Sequence, residues 1–393
     1  MAVGGSRLIA ADLAAARLRP AWAEIDLGAI RHNAGVLADV AAPAALCAVV
    51  KAGGYGHGSV EVARAALDGG ATWLAVALVE EGLELRAAGL SAPVLLLSQP
   101  APVAMPDVVA AALTPTVYTP AGLDALADAV VAAAATVPFS VHVKIDTGMH
   151  RVGADPAGAV ALALAVENNP RLCLEGFWTH LAVSDEIDDP YTAAQAASFD
   201  AAVAALAGAG TRPPLLHAAN SAGAMWHPGC RYDLVRCGIA LYGLAPAADG
   251  LDRPPVPELR PALSLKARVS HVRELGAGER LSYGLRYQLQ QESVIATVPL
   301  GYADGVTRAL SGAGGEVLVG GRRRPIAGTV TMDQLLVDCG PGSAVAVGDE
   351  VVLLGRQGAE SITAWEWAVR TGTIAYEVVC GVSGRVPRTH VGG

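Results

Sequence analysis

Along the first two-thirds of the chain, short apolar runs without polar alternation are separated by longer amphipathic stretches. Runs of this kind are typical of strands that are buried on both faces. Eight of them predict strands at 46–51, 73–76, 94–98, 116–118, 140–146, 172–180, 215–218 and 234–241. The stretches around them predict helices at 26–41, 59–67, 80–88, 102–112, 121–135, 156–167, 193–209 and 222–226.

Eight strands alternating with helices over some two hundred residues predict a (β/α)8 barrel, the TIM-barrel class of α/β fold. An open doubly wound sheet is the alternative for such a pattern. No GxGxxG follows the first strand, which disfavours a dinucleotide-binding version of that alternative.

After about residue 255 the pattern changes to short β-rich runs with Gly and Asp between them, such as "VIATVPL", "EVLVGG" and "DEVVLLG". Helical stretches are scarce there until "SITAWEWAVRTGT". The sequence therefore predicts two domains: a barrel over 22–256 and a mostly β domain over 257–393. The N-terminal segment 1–27 is a candidate source of one more strand in the second domain.

Composition narrows the classes of function. The 393-residue chain has a net charge of −9 and a pI near 5.5, which disfavours general affinity for nucleic acid or an anionic membrane. Its six cysteines are dispersed without a CxxC pair, as expected of reduced thiols in a cytoplasm. Neither a signal peptide nor a membrane-spanning apolar stretch is predicted. The nine histidines show no HExxH-like spacing, so a metal-dependent barrel enzyme is disfavoured.

Lys51 ends the first predicted strand, in "LCAVVKAGGYGHGS". Barrel enzymes hold their chemistry at the carboxyl ends of the strands. A surface lysine that closes a strand is the plain alternative. A lysine in a desolvated barrel mouth would instead have a lowered pKa, which suits an amine that forms a Schiff base. Glycines at 53, 54, 56 and 58 would let a flat ligand approach the backbone.

Two later loops suit an anion. After the seventh strand, "HAANSAGAM" places Asn220 and Ser221 before a small helix, and after the eighth, "VRCGIALYG" exposes backbone amides at Gly238. Barrels often bind phosphate in these two loops, and N–H groups at a helix start favour it. Each loop alone is as well explained by a helix cap or a turn. Together with Lys51 they suggest pyridoxal 5'-phosphate (PLP).

At this point the chain resembles the alanine racemase family, over nearly its whole length. The resemblance depends on motifs that occur in the expected order: "AVVKAGGYGHG", "KIDTGMHRVG", "THLAVSD", "NSAGAM", "VRCGIALYG", "LSYG", "PLGYADG", "TMDQ" and "IAYEVV". It implies a PLP-dependent barrel joined to a β domain, working as a homodimer on a small amino acid. The implied activity is racemisation of alanine, which supplies D-alanine for the bacterial cell wall.

The resemblance also implies catalytic roles. Lys51 would bind the cofactor and act as the base on one face of the substrate, and Tyr283 of the partner subunit would act on the other. Arg151 would contact the cofactor's phenolic oxygen and the substrate carboxylate, and Met332 would line the substrate pocket from the partner chain. Lys144 matches a position that can carry a carbamate paired with Arg151.

Further residues would hold the cofactor. Arg236 would face its pyridine nitrogen, and His180 would link Tyr283 to Arg236. The phosphate would be held by Tyr55, Ser221, Gly238, Ile239 and Tyr376. Taken one at a time, residues such as His180, Tyr283 and Met332 are more often part of a packed core or a surface, and Arg151 next to Asp146 is also explained by a plain surface ion pair. Only their joint pattern indicates a site.

Three positions depart from the family pattern: Gly53 replaces an acidic or amide residue, Ser184 a small apolar one, and Cys237 a proline or bulkier residue. From Gly53 we expect a looser lysine loop, and none of the three removes a catalytic atom. Other functions stay open: a racemase of the same fold for serine or a broader range, a PLP-dependent decarboxylase, or a protein that sequesters D-cycloserine without turnover. Arg236 disfavours the decarboxylase, which would need an acidic partner for the pyridine nitrogen.

Overall fold

This computed structural model describes residues 18–134, 136–247 and 257–393. Residues 1–17 of the segment predicted to supply an extra strand, and the end of the predicted helix 121–135, lie outside the described residues. The described residues form two compact units. One contains residues 30–54 and those between 59 and 260, and the other contains residues 18–29, 55–58 and 261–393.

The first unit contains two four-stranded parallel sheets. In sheet order the strands are Val94–Leu96, Trp73–Val76, Ala45–Val49 and Leu234–Cys237, then Thr116–Val117, Phe139–Lys144, Leu172–Trp178 and Leu215–His217. A parallel bridge joins Leu95 to Thr114, and the Arg236 N–H donates to the Ala219 carbonyl at 3.0 Å. These contacts close the sheets into one ring, so the predicted (β/α)8 barrel is confirmed and the open sheet is wrong.

Helices cover the outside of this barrel, because the outward side chains of the strands are apolar. Val141, Val143 and Phe177 pack in one core cluster with Leu162 and Phe199 from the surrounding helices. The helices are Leu27–Ala41, Ser59–Asp68, Val79–Ala87, Met105–Ala110, Pro120–Ala132, Pro156–Glu167, Tyr191–Gly208 and Ser221–Trp226. The predicted helix 102–112 is shorter than expected, since Pro102–Ala104 forms a separate 3-10 turn.

Seven of the eight barrel strands end one to four residues earlier than predicted, and two of these ends shape the site. The first ends at Val49, and Lys51 begins a turn in which Ala52, Gly53 and Gly54 have φ of 53°, 61° and 62°. Positive φ is incompatible with a strand, and it explains the run of glycines. The eighth strand ends at Cys237, and Ile239–Tyr242 forms a 3-10 turn.

The second unit is mostly β. A seven-stranded sheet has the order Arg322–Pro325, Glu316–Val319, Glu350–Gln357, Leu263–Arg268, Ala21–Asp26 and Arg388–Val391, with Glu360–Ile362 added to Glu350–Gln357. A three-stranded sheet contains His271–Leu275, Ser293–Val298 and Leu335–Asp338, and a small ladder pairs Arg280–Leu281 with Tyr287–Gln288. Its helices are Ala364–Thr371 and Ala375–Cys380.

Candidate active site

A group of cations lies together at the carboxyl ends of the barrel strands. Lys51, Lys144, Arg151 and Arg236 all act electrostatically on His180. Burial first, and then these cations, hold the pKa of His180 well below its ordinary value, so its ring is neutral near pH 7. The site is therefore strongly electropositive within an acidic chain.

Arg236 is a buried cation without an acidic partner among the described residues. Its guanidinium donates to His217 Nδ1 at 2.7 Å and to the carbonyls of Thr179 and Ala218 at 2.9 Å, while His180 Nδ1 lies 3.4 Å away. Burial lowers its pKa to about 10, which still leaves it protonated at neutral pH. Since burying an uncompensated charge is costly, such a group indicates a functional site.

Cys237 follows Arg236 and is fully buried. Burial raises the pKa of its thiol to about 12, so it brings no negative charge to the guanidinium. In the described part of the chain no acceptor contacts Arg236 Nε, which leaves a donor for an aromatic nitrogen.

Lys144 is 3% exposed, and its Nζ lies over the Trp178 ring. Burial, Arg236 and Arg151 lower the pKa of Lys144 to about 7. At neutral pH its amine is thus partly unprotonated, a state in which it is nucleophilic. The carboxylate of Asp146 contacts His150 at 3.0 Å and accepts the N–H groups of Gly148 and His150, so the structure does not show the Arg151–Asp146 ion pair.

The turn that follows Lys51 is held by a residue that the sequence did not indicate. Glu81 accepts the Ala52 N–H at 2.6 Å with one carboxylate oxygen, and the N–H groups of Ala77 and Leu78 at 2.8 and 3.0 Å with the other. Gly53 in this turn has open space around it. Because L-residues rarely adopt its φ of 61°, glycine lowers the strain of the turn.

The two loops predicted for phosphate meet in the barrel unit. Asn220 caps the helix Ser221–Trp226 by accepting the Gly223 N–H, and Ser184, one of the three departures, donates to the Asn220 amide oxygen at 2.8 Å. Ser221 Oγ accepts the Gly238 N–H at 3.0 Å. A hydroxyl, a helix start and the backbone of the turn Ile239–Tyr242 therefore lie together, a donor set that fits a phosphate.

The remaining predicted residues belong to the other unit. The rings of Tyr55 and Tyr376 lie 6.4 Å apart. Tyr283 and Met332 line one open pocket of about 400 Å³, so the structure brings these two together. Tyr283 is 74% exposed and Met332 52%, an unusual exposure for large apolar side chains.

In the described ranges, His, Cys, Asp and Glu form no group of three that could hold a metal ion. No helix among the described residues is both long and apolar enough to span a bilayer.

Comparison with known proteins gives one family. The model "Alanine racemase, N-terminal domain" matches residues 25–246, and "Alanine racemase, C-terminal domain" matches 262–390. The chain is 47% identical to the alanine racemase of Symbiobacterium thermophilum, over 95% of this chain and 98% of that protein. Crystal structures of alanine racemases from E. faecalis and Streptomyces coelicolor A3(2) are each 40% identical with a TM-score of 0.88, covering 95% and 97% of this chain and 99% and 100% of theirs.

Proposed function

The chain belongs to the alanine racemase family, and on that premise we propose that it interconverts L- and D-alanine with PLP as its cofactor. The resemblance predicted from the motifs is confirmed, and the enzyme is an isomerase. The observation that carries the proposal is the group of four cations around His180, because both the phosphate and the substrate carboxylate are anions. No disulfide links the six cysteines, all of which lie in the described ranges, and this supports a cytoplasmic location, where D-alanine would feed cell-wall synthesis.

The residues present fit this cofactor. Lys51 would bind it through its amine, and Arg236 would donate to its pyridine nitrogen. The phosphate would be held by Ser221 and the N–H groups of Gly238 and Ile239, with Tyr55 and Tyr376. When bound, PLP withdraws electrons from the substrate's α-carbon and so makes its proton removable.

Arg236 decides which reaction follows. It remains protonated near pH 7, so it can only donate, and a pyridine nitrogen that accepts from it stays unprotonated. Electron withdrawal is then weaker than beside a carboxylate. The α-carbon is reprotonated quickly, which favours racemisation over transamination or decarboxylation.

Two groups would move the α-proton, one on each face of the substrate. Lys51 supplies an amine on one face, and Tyr283 of the partner subunit supplies a phenol on the other. His180 faces Arg236 with Nδ1, so its proton lies on Nε2. That N–H would donate to the phenol oxygen and stabilise its deprotonated form, which makes the phenol a better base.

We further propose that the enzyme is a homodimer with active sites shared between subunits. Support comes from Tyr283, Leu285, Tyr302 and Met332, which expose 74%, 50%, 43% and 52% of their surface in one chain. Tyr283 also lies between two open pockets of about 480 and 400 Å³. Exposed apolar side chains around an open pocket are typical of a protein interface.

Lys144 would carry a carbamate. An unprotonated amine attacks CO2, forms the N–C bond and releases one proton. The pKa of Lys144, lowered to about 7, supplies that amine near neutrality. The resulting anion would pair with Arg151 and offset part of the positive charge that Lys51, Arg151 and Arg236 place there. Intact-protein NMR with ¹³C-labelled CO2 tests this: Lys144→Met should remove the carbamate signal.

The activity is tested by incubating the PLP-loaded enzyme in D2O with L- and D-alanine and, in parallel, L- and D-serine. Loss of the α-proton NMR signal measures exchange, and chiral chromatography measures inversion. We expect alanine to racemise, and Tyr283→Phe to lower the rate by about 10²- to 10⁴-fold. Tyr191→Phe, which changes an exposed tyrosine on a barrel helix, is the control. If alanine shows no exchange, the proposal is contradicted, whatever the result with serine.

A mixture of two inactive variants tests the shared site. Lys51→Ala and Tyr283→Phe should each be inactive alone. After the two are unfolded and refolded together, mixed dimers contain one site with both bases, so activity should return to about one quarter of wild type. A mixture that stays inactive would mean that both bases come from one chain.

A further inference from the structure

A row of buried polar side chains runs from Arg236 across the barrel to Glu175. Arg236 NH1 lies 2.7 Å from His217 Nδ1, His217 Nε2 lies 2.9 Å from His142 Nδ1, and His142 Nε2 lies 3.5 Å from Glu175 Oε2. Both histidines are fully buried. The function proposed above uses neither His142 nor Glu175.

The direction of these contacts is fixed at one end, because a guanidinium can only donate. His217 must accept with Nδ1, so its proton lies on Nε2 and points to His142 Nδ1. His142 accepts in turn and carries its proton on Nε2, facing the Glu175 carboxylate. Burial lowers the pKa of both histidines, and Arg236 lowers it further, while Glu175 offsets part of this for His142; the pKa of each ring stays below its ordinary value, so both rings are neutral near pH 7. One tautomer of each ring satisfies the contacts among Arg236, His217 and His142 and directs the His142 Nε2–H at the Glu175 carboxylate.

The far end of the row is built by the strands themselves. The strands Phe139–Lys144 and Leu172–Trp178 pair Val141 with Leu174 and then His142 with Gly176, which leaves Glu175 in a β-bulge. Bulges redirect a side chain and are frequent near active sites. A Cβ at position 176 would lie 2.3 Å from His142 Nδ1, so only glycine lets the imidazole occupy this place.

The Glu175 carboxylate faces the imidazole ring of His142. Both His142 Nε2 and Glu175 Oε2 are buried, and among the described residues neither makes a hydrogen bond. At 3.5 Å their contact is long, at the outer limit of a hydrogen bond. The Glu175 side chain as a whole is 26% exposed, while the oxygen that faces His142 is buried.

We propose that His142 and Glu175 are positioning residues that fix His217 in its Nε2–H tautomer, and that His217 thereby holds the Arg236 guanidinium in place for the pyridine nitrogen. This inference deepens the proposed function and depends on it for its catalytic consequence. The tautomers themselves do not depend on it, since the row consists of protein side chains only.

NMR of the cofactor-free protein labelled with ¹⁵N-histidine tests the tautomers directly. Long-range ¹H–¹⁵N correlation should show His142 and His217 as neutral Nε2–H rings from pH 7 to 8, assigned by the signals that His142→Phe and His217→Phe remove. Glu175→Leu should convert part of the His142 and His217 signals to the other tautomer, and Glu175→Gln, which keeps an acceptor oxygen, should restore the wild-type pattern. An Nδ1–H or doubly protonated ring in the wild type overturns the proposal.

Kinetics of the PLP-loaded enzyme test the consequence. Glu175→Leu should lower kcat about tenfold with little change in KM, and should raise the fraction of turnovers that end in transamination, because a displaced guanidinium no longer holds the pyridine nitrogen. Glu167→Leu, which changes an exposed glutamate at a helix end, is the matched control. If Glu175→Leu only lowers the melting temperature, with tautomers and reaction partition unchanged, its role is structural and the proposal fails. Tautomers as expected in a protein without racemase activity would instead contradict the proposed function alone.

Discussion

The Lys144 ammonium lies 4.2 Å from the centroid of the Trp178 ring, and no carboxylate among the described residues forms an ion pair with it. The same indole lies 4.5 Å from Arg236 Cζ. One aromatic ring therefore contacts two buried cations. A cation–π contact offsets only part of the cost of burying a charge. Lys144 consequently sits near the balance between its charged and neutral forms.

This balance predicts that Lys144→Met stabilises the cofactor-free protein. The folded-state pKa is about 7 against an ordinary 10.5, so below pH 7 the fold carries the full cost of the cation. As pH rises from 7 towards 10.5 the folded form has already lost its proton, and the cost declines. We expect a gain of roughly 1–4 kcal/mol at pH 6 and a smaller one at pH 9. Urea unfolding in CO2-free buffer measures both.

Lys266→Met is the control for this experiment. Lys266 pairs with Glu24 at 2.7 Å, and losing this contact should lower the stability by about 0.2–1 kcal/mol at both pH values. An equal gain for Lys144→Met at pH 6 and pH 9 would show that the charge of Lys144 is not its cause.

Glu81 should be needed for retention of the cofactor, although the hydrogen bonds described for its carboxylate are all to backbone N–H groups. Its carboxylate accepts three N–H groups and so ties Ala52, next to Lys51, to the second barrel strand's loop. Glu81→Gln places an NH2 group against these donors, which should cost about 1–3 kcal/mol. We expect PLP to dissociate about tenfold more readily, measured by dialysis and absorbance. Glu80→Gln, at the exposed neighbouring position, should bind PLP like the wild type.

The barrel was predictable from the sequence because each strand is a compact apolar run, and the starts of the runs at Trp73 and Val94 match the structure. Strand ends were harder to predict. Apolar residues continue beyond Cys237 into the 3-10 turn Ile239–Tyr242, because that turn is buried too. A run of apolar residues reports burial, and only backbone angles distinguish a buried turn from a buried strand.

For the site, motif order was enough to indicate Lys51 and Arg236 but not the residues that support them. His142, Glu175 and Glu81 are ordinary residue types when taken singly. His142 meets His217 from 75 positions away, and barrel register brings them together. One signal was available: His142 and Lys144 lie two residues apart on one strand, so both face the same side.

Gly53 should be required for its backbone conformation, contrary to the looser loop expected from the family comparison. At φ 61° a β-branched residue is strained, so Gly53→Val should cost roughly 1–2 kcal/mol in stability. Gly53→Asn should be well tolerated, because asparagine visits the left-handed region more readily. Gly276→Val, at an exposed glycine without positive φ, is the control. Equal melting temperatures for the two valine variants would contradict this.

Asp304, in "PLGYADG", should be essential for the loop that carries Met332. Its fully buried carboxylate contacts Arg19 at 2.7 Å and accepts the Gly301 N–H. The N–H groups that follow, those of Tyr302 and Ala303, donate to the carbonyls of Thr331 and Met332. Asp304→Asn leaves the half-buried Arg19 guanidinium without its counter-charge and weakens the acceptor for the Gly301 N–H, which should cost about 1–3 kcal/mol. Asp333→Asn removes an exposed partner of Arg385 and should change stability little. Thermal unfolding compares the Asp304→Asn and Asp333→Asn variants. If their melting temperatures are similar, the negative charge of Asp304 does not stabilise the fold more than that of an exposed aspartate.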